Sequence, residues 1–360
     1  MNTMLLTLGR LPKALDIARS FHAAGWRVVV AEPFARTLVG ASRACAAQRQ
    51  VPAPVAGHAA YLAALGAVMR AENASLVVPV SEETPHVAHL PDARLFTMPP
   101  DLVLRAHHKQ GFIDMAQSFG LDVPESFAPG TAEAAALAAR TDFITKPVHS
   151  CSGRGVRFFN AGDAVPDEAG HVVQRRIHGD VISSCSLAHG GRVASTVVYR
   201  GKLFSGAVAI AFERFDHPAT EDWIARFVAA TGWTGFISFD FILDAQGRPW
   251  GIECNPRTTS GLHFWRMEDI APAVLDPAQP LRHRPERVLQ QAYSVLTAAW
   301  GRGGRAALRT LFTTRDVSWS WSDPMPFLTM TRTSWPIIRE AARRRTTFGE
   351  VATLDVGWNG

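Results

Sequence analysis

Lysine is nearly absent from this chain of 360 residues: Lys13, Lys109, Lys146 and Lys202 stand against 33 arginines. A chain that meets almost every demand for positive charge with Arg keeps Lys where a compact ammonium is required. Cysteine is as sparse. Cys45, Cys151, Cys185 and Cys254 match the spacing of neither a zinc site nor a redox pair, so free thiols in a reducing compartment are expected. Long apolar runs are missing too. Nothing approaches the roughly 18–20 residues needed to cross a bilayer, and Met4–Leu8 is too short for a signal-peptide core. The expectation is a cytoplasmic protein with no membrane span. Repeats and low-complexity tracts are absent. No G-x-G-x-x-G fingerprint follows the first apolar run, which argues against a nucleotide at Gly9-Arg10.

What is present describes a globular protein of two or three packed units, with 47% hydrophobic and 19% charged residues. Its net charge of +5 is uneven, because residues 281–345 alone carry 12 Arg against four acids. The basic character therefore belongs to the C-terminal quarter. No recognisable nucleic-acid module accompanies it, and an anionic substrate or carrier is the modest reading.

Apolar runs at Met4–Leu8 and Trp26–Ala31 flank a helical pattern at Leu11–Ala24, and a helix at Ala59–Ala71 feeds a strand at Ser75–Val80. This is the pattern of a small open parallel sheet. Met98-Pro99-Pro100 marks a boundary, followed by a helix near His107–Phe119 ending at Gly120. A short helix at Ala132–Ala139, strands at Phe143–Lys146 and Val156–Phe159, and a small-residue loop at His149–Arg154 come next. From His171 to Ile242 the pattern is mostly strand, with one helix near Glu221–Thr231 and hairpin turns expected at Gly190-Gly191 and Gly201-Lys202. A strand Pro249–Cys254 then runs into Asn255-Pro256-Arg257. From Trp265 on, the chain reads as helical and Arg-rich, with six of the ten tryptophans.

Chemistry concentrates in an ordered set. In Phe239-Asp240-Phe241, strand alternation points the carboxylate away from its aromatic neighbours. Glu253 and Asn255 share one strand face while Cys254 points the other way. Paired strands would bring two carboxylates and an amide oxygen together, a hard all-oxygen site suited to Mg2+ (or Mn2+) rather than zinc. Lys109 and Lys146 offer partners for phosphate oxygens. The loop containing Ser150, Ser152 and Gly153 supplies small residues and N–H groups able to close over a phosphate chain. Gln174-Arg175-Arg176-Ile177 lies at a strand end, where exposed backbone can read an adenine edge and Ile177 can cover its face. Together these make an ATP site.

In this order the set resembles the ATP-grasp superfamily, which includes biotin carboxylase, carbamoyl-phosphate synthetase and D-alanine–D-alanine ligase. The resemblance spans about residues 1–265: Lys109, Lys146 before a Gly/Ser loop, Gln174-x-x-Ile177-x-Gly179, Phe239-Asp240-Phe241 and Glu253-Cys254-Asn255-Pro256-Arg257. It implies a mixed α/β and α+β chain. A Rossmann-like domain would occupy residues 1–105, and a two-lobed ATP-grasp fold 106–275, with a small lid lobe at about 125–175. A helical Arg/Trp-rich extension would occupy 276–360. By the same resemblance Lys109, Lys146, Ser150, Ser152, Gly153, Gln174, Arg175 and Ile177 would contact ATP. Asp240, Glu253 and Asn255 would hold magnesium, and Arg257, with Lys146, would serve the chemistry by stabilising a phosphorylated intermediate. Many members carry Glu at the Gln174 position and a ribose-binding acid two beyond the glycine. Here Val181 stands at that place, with Asp180 beside it as the ribose candidate. The implied activity is ligation of a small carboxylate to an amine or thiol through an acylphosphate, releasing ADP and phosphate. A kinase or carboxylase with a non-carboxylate acceptor, or a non-catalytic ATP-binding scaffold, are the alternatives, and a homo-oligomer is compatible with all of them.

Other residues have plainer readings. Lys202 reads as a solvated hairpin tip, Cys151 as a loop thiol, and His107 and His108 as surface groups at a helix start. Arg10 and Glu82-Glu83 lie where an acceptor would bind, and helix N-terminal acids account for the carboxylates equally well. Trp319, Trp321 and Trp335 are expected to pack the C-terminal region onto the ATP domain, with walls of the substrate cleft as the alternative.

Overall fold

The first sheet is laid down by alternating apolar strands and helices. β1 (Thr3–Leu6), β2 (Arg27–Glu32), β3 (Cys45–Gln50) and β4 (Ala74–Val78) form a parallel sheet in the order β3-β2-β1-β4. Helices α1 (Pro12–Ala23) and α2 (His58–Ala71) supply the crossovers. β3 is an addition to the sequence reading. Its residues alternate little and are half-exposed at the sheet edge, so it lacks the apolar signature that marks the inner strands. The computed structural model describes residues 1–149, 155–299, 304–358 and 360.

After a short α3 (Thr84–Val87), the expected single helix near His107–Phe119 is two, α4 (Pro100–His107) and α5 (Lys109–Ser118). The break falls at His108, whose extended backbone makes it an N-cap and whose Nδ1 accepts from the Gly111 N–H at 3.1 Å. Lys109 is thereby the first residue of a helix.

A small antiparallel sheet follows, from β5 (Ser126–Phe127), β6 (Phe143–Pro147), β7 (Arg157–Phe159) and β8 (His171–Arg175), in the order β5-β8-β6-β7. Helix α6 (Ala132–Arg140) covers it through Ala134, Leu137 and Ala138 packed near Phe143 and Val173.

The largest sheet has seven strands: β9 (Asp180–His189), β10 (Arg192–Ser205), β11 (Val208–Arg214), β12 (Gly235–Leu243), β13 (Pro249–Asn255), β14 (Val288–Gln290) and β15 (Arg315–Asp316). Their order is β13-β12-β9-β10-β11-β14-β15. The turn expected at Gly201-Lys202 lies at Gly206-Ala207 instead, between the paired residues Ser205 and Val208. β10 runs through Gly201 with a register shift just after it, and the missing Cβ leaves room for the Phe204 ring, which a Cβ on Gly201 would meet at 2.2 Å. A second difference concerns the C-terminal region. It is not only helical, since β14 and β15 extend this sheet. Each is three residues or fewer, too short to show alternation in the sequence.

Helix α7 (Pro218–Thr231) packs with α4 and α5 on the outer face of β12 and β13. There Phe239 and Phe241 enter an aromatic core with Phe112, Trp223 and Phe227, the Trp223 and Phe239 rings lying 5.3 Å apart. A second core runs without interruption from Leu6 and Val30 of the parallel sheet to Phe212, Phe236 and Trp265, so the two sheets are packed as one body. Trp321 and Trp335 do not pack as expected: they are exposed, Trp321 at 87%. No helix among the described residues is long and apolar enough to cross a membrane.

Candidate active site

A cleft of about 870 Å³ opens between the small sheet and the large one. Alternation decides what enters it. With Phe239 and Phe241 turned into the aromatic core, Asp240 faces the cleft, opposite Glu253 on β13 and Ser183 on β9. Its Oδ1 accepts from Ser183 Oγ at 2.6 Å and its Oδ2 from Asn255 Nδ2 at 3.1 Å. Burial, and then the neighbouring Glu253, push the Asp240 carboxyl up to about 6. Two half-buried carboxylates thus crowd one patch beside the Asn255 amide, whose Nδ2 meets Asp240 and whose Oδ1 meets Arg257, and the carboxylates' mutual repulsion is the situation a hard divalent cation relieves. The donor set therefore fits magnesium. It contains two carboxylates only, and no cluster of three or more His, Cys, Asp or Glu suited to a metal occurs among the described residues.

Both expected lysines reach this patch. Lys109 Nζ lies 3.3 Å from Glu253 Oε1. Lys146, on β6, donates from Nζ to the Ile252 carbonyl at 2.8 Å. The register explains that bond: Asp240 pairs with Glu253 and Phe241 with Gly251, so Ile252 is the extra residue of a β-bulge and its carbonyl is free of the ladder. Burial first, and Lys109 second, lower the Lys146 ammonium to about 7. An anion bound between the two ammoniums would reverse that effect.

Gln174 and Ile177 line the cleft. Gln174 is buried and donates from Nε2 to Ser126 Oγ at 2.8 Å. Arg175 also lines the cleft and lays its guanidinium over Trp250, 4.8 Å from the ring centre. The N–H groups of Arg175 and Arg176 are committed to the Glu125 and Asp142 carbonyls, so they are not the groups that would read an adenine edge. Asp180 is exposed and does not line the cleft. On β9, Val181 and Ser183 point inward and Asp180 with Ile182 the other way. Ser150, Ser152 and Gly153 lie outside the described residues, as does Cys151. Gly179 presses its backbone against β12, and a Cβ there would sit 1.8 Å from the Leu243 carbonyl oxygen. This close approach is what the glycine of Gln174-x-x-Ile177-x-Gly179 permits, at the point where the chain leaves the small sheet for the large one.

Arg257 closes one end. Its Nη2 donates to Glu82 Oε1 at 2.5 Å and to Asn255 Oδ1 at 2.8 Å. Burial would raise the Glu82 carboxyl, but Arg257, His107 and Lys13 together hold it below its ordinary value. Glu83 plays a different part, accepting from Thr7 Oγ1 and from the Val80 and Ser81 N–H groups, which fixes the turn after β4. Arg10 is committed as well, to Glu32 and Asp355 under the ring of Phe34.

Several site residues carry no obvious mark in the sequence. Lys13 is buried and donates from Nζ to the Thr258 carbonyl at 2.6 Å, so three of the four lysines border the cleft; the rarity of lysine was the available signal. His107 corrects the expectation of a surface group, being buried and pushed down to about 4 by burial. Phe158, Val181 and Phe204 are large apolar side chains at least 55% exposed, and all three line the cleft. They offer apolar faces to a planar base. Lys202 lies within β10, half-exposed, 3.5 Å from Glu213.

Residues 112–261 match the family model described as an ATP-grasp domain. No curated relative matches the chain in sequence. Among solved structures, the chain is similar to an L-amino acid ligase from Bacillus licheniformis, with 17% identity, a TM-score of 0.60, and coverage of 77% of this chain and 74% of that one. It is also similar to N5-carboxyaminoimidazole synthetase from Staphylococcus aureus complexed with ADP (12% identity, TM-score 0.61, 78% and 79% coverage). A third is the biotin carboxylase–β-γ-ATP complex from Campylobacter jejuni (15% identity, TM-score 0.58, 72% and 66% coverage). At these identities the likeness is one of fold.

Proposed function

We propose, from the match of residues 112–261 to an ATP-grasp domain model, that the chain is an ATP- and magnesium-dependent carboxylate ligase, forming its product through an acylphosphate. The observation that carries the proposal is the convergence of Lys109, Lys146, Asp240, Glu253, Asn255 and Arg257 on one cleft. ATP would lie with its base among Ile177, Phe158, Val181 and Phe204 and its phosphates toward the two lysines. Asp240 and Glu253, joined by the Asn255 amide oxygen once it leaves Arg257, would hold magnesium, which when bound would screen phosphate charge and polarise the γ-phosphoryl group.

The chain's own residues do the remaining work. Lys109 and Lys146 orient the phosphate chain and offset its charge in a site of low dielectric. The acid's carboxylate oxygen attacks the γ-phosphorus while the bond to the bridging oxygen of ADP breaks. Arg257 lies beside this reaction zone and stabilises charge on the transferring group and on the acylphosphate. An amine nitrogen, or a thiol sulfur, then attacks the acyl carbon, phosphate departs with the C–O bond's electrons, and the nucleophile loses a proton to solvent. The small sheet, joined to the large one through residues 176–179, would act as the lid.

Product analysis tests the reading. Incubation with Mg-ATP, a panel of acids including bicarbonate, and amines should release ADP and phosphate together with a condensation product. Release of AMP and pyrophosphate would refute the acylphosphate route, and carboxylation alone would move the assignment to a carboxylase.

A further inference from the structure

Beyond Arg257 the cleft adjoins a second cavity of about 180 Å³, and Lys13, Val208, Arg257 and Ser260 line both. Chain that lies outside the ATP-grasp domain closes it, through Tyr293, Ser318, Met330 and Phe348. The cavity sits beyond the carboxyl ends of β1 and β4, where the order β3-β2-β1-β4 reverses direction. Open parallel sheets bind ligands at that point. Arg10 and Lys13 face it from the first strand's exit, and Ser81 and Glu82 from the other's.

Its two ends differ in character. At the mouth shared with the cleft stand the Lys13 ammonium and the Arg257 guanidinium, with Glu82 beside them. The rest of the wall combines apolar side chains, among them Leu38, Tyr293, Met330 and Phe348, with polar ones such as Gln291, Ser294 and Ser334. One of the polar residues there is without a partner for its side chain. Ser318 is 1% exposed, and its hydroxyl finds no hydrogen-bond partner among the described residues, although its N–H donates to Asp316 and its carbonyl accepts from Arg19. A buried hydroxyl without a partner is rare, and points to a group that arrives from outside. Pockets for drug-sized ligands occupy about 300–1,000 Å³, so a cavity of 180 Å³ excludes a nucleotide and selects something compact. By contrast, the larger groove of about 960 Å³ lined by Arg284, Arg315 and Trp319 shares no residue with the cleft, and these two arginines are paired with Asp16 and Glu286.

We infer that the 180 Å³ cavity receives the acid acceptor. That acid is a compact monocarboxylate whose charged end lies at Lys13 and Arg257, and whose apolar body carries one hydrogen-bonding group that meets Ser318. The inference rests on the ligase reading and adds that residues beyond the ATP-grasp domain set which acid is used. Met330 limits the length of the body, and Ser318 recognises its polar substituent.

The test measures ADP release at saturating Mg-ATP with straight-chain acids from acetate to octanoate and with their ω-hydroxy counterparts. Met330→Trp should move the preferred chain length shorter, Met330→Ala should move it longer, and each should alter KM for the acid by about tenfold with KM for ATP unchanged. Ser318→Ala should abolish any preference for the hydroxylated member of a pair. Opposite shifts from two substitutions at one position cannot arise from misfolding. If acids stimulate ADP release but all three variants keep the wild-type preferences, the cavity is not the acid's pocket and the ligase reading stands. If no acid stimulates release although Mg-ATP binds, the ligase reading fails and the inference falls with it.

Discussion

The cleft between the small and large sheets draws its polar side chains chiefly from adjoining strands, with Asp240, Glu253, Asn255 and Ser183 placed by register on β12, β13 and β9. The cavity behind it is assembled from positions as far apart as Leu38 and Phe348. Register is a local rule: once β12 and β13 pair, the facing of every residue on them follows. Closure by distant segments has no such rule, since each piece is held only by packing with the others. The cleft should therefore respond to substitution in its chemistry, and the cavity in its selectivity.

The largest expected effect tests the first half of that contrast. Glu253→Gln removes a carboxylate from the proposed metal patch and should lower kcat by on the order of 10³-fold while weakening Mg-dependent ATP binding, as befits charge stabilisation of several kcal/mol. Steady-state kinetics with a magnesium titration decide it; retained turnover at wild-type magnesium would place the metal elsewhere. Next is Arg257→Ala, expected to cost about 10²–10³ in kcat with KM for ATP within about threefold. Loss of folding stability with intact turnover would make Arg257 a structural partner of Glu82.

Smaller effects concern how the two lobes and the cavity mouth are built. Gly179→Ala forces a Cβ against the Leu243 carbonyl, and a chemical-denaturation curve should show a loss of about 1–3 kcal/mol. An unchanged midpoint would mean that the crossover from β8 to β9 is free to move aside. At the mouth, burial first and Arg257 second lower the Lys13 ammonium to about 7, against the pull of Glu82 and Glu83. The unfolded chain keeps this proton to about pH 10.5 and the folded chain only below about 7. Between those values the unfolded state binds more protons, so stability of the nucleotide-free protein rises with pH, by up to about 1.4 kcal/mol per pH unit for this group. Lys13→Met should remove that share of the slope between pH 7.5 and 9. A slope that does not change would place Lys13 in solvent contact.

The same contrast explains what the sequence disclosed. Alternation in Phe239-Asp240-Phe241 and Glu253-Cys254-Asn255 showed which side chains share a face, because buried strands carry that signal directly. Edge and accessory strands do not: Cys45–Gln50 is half-exposed, and Val288–Gln290 is too short for periodicity, so both passed as other structure. The bulge at Ile252 that frees a carbonyl for Lys146 is a property of pairing, invisible in either strand alone. Lys13 was marked only by the scarcity of its kind, and its partner Thr258 lies 245 positions away. Asp180 illustrates the converse, since one step along a strand turns a side chain out of the cleft that its neighbour Val181 lines.

The central claim is that a carboxylate oxygen attacks the γ-phosphorus of ATP in the cleft walled by Asp240, Glu253 and Arg257. Transfer of isotope tests it most directly. With an acid labelled with 18O in its carboxylate, Mg-ATP and an amine, the account predicts that the released phosphate carries one 18O from the acid for each bond formed. Phosphate free of the label, with product still formed, would contradict it.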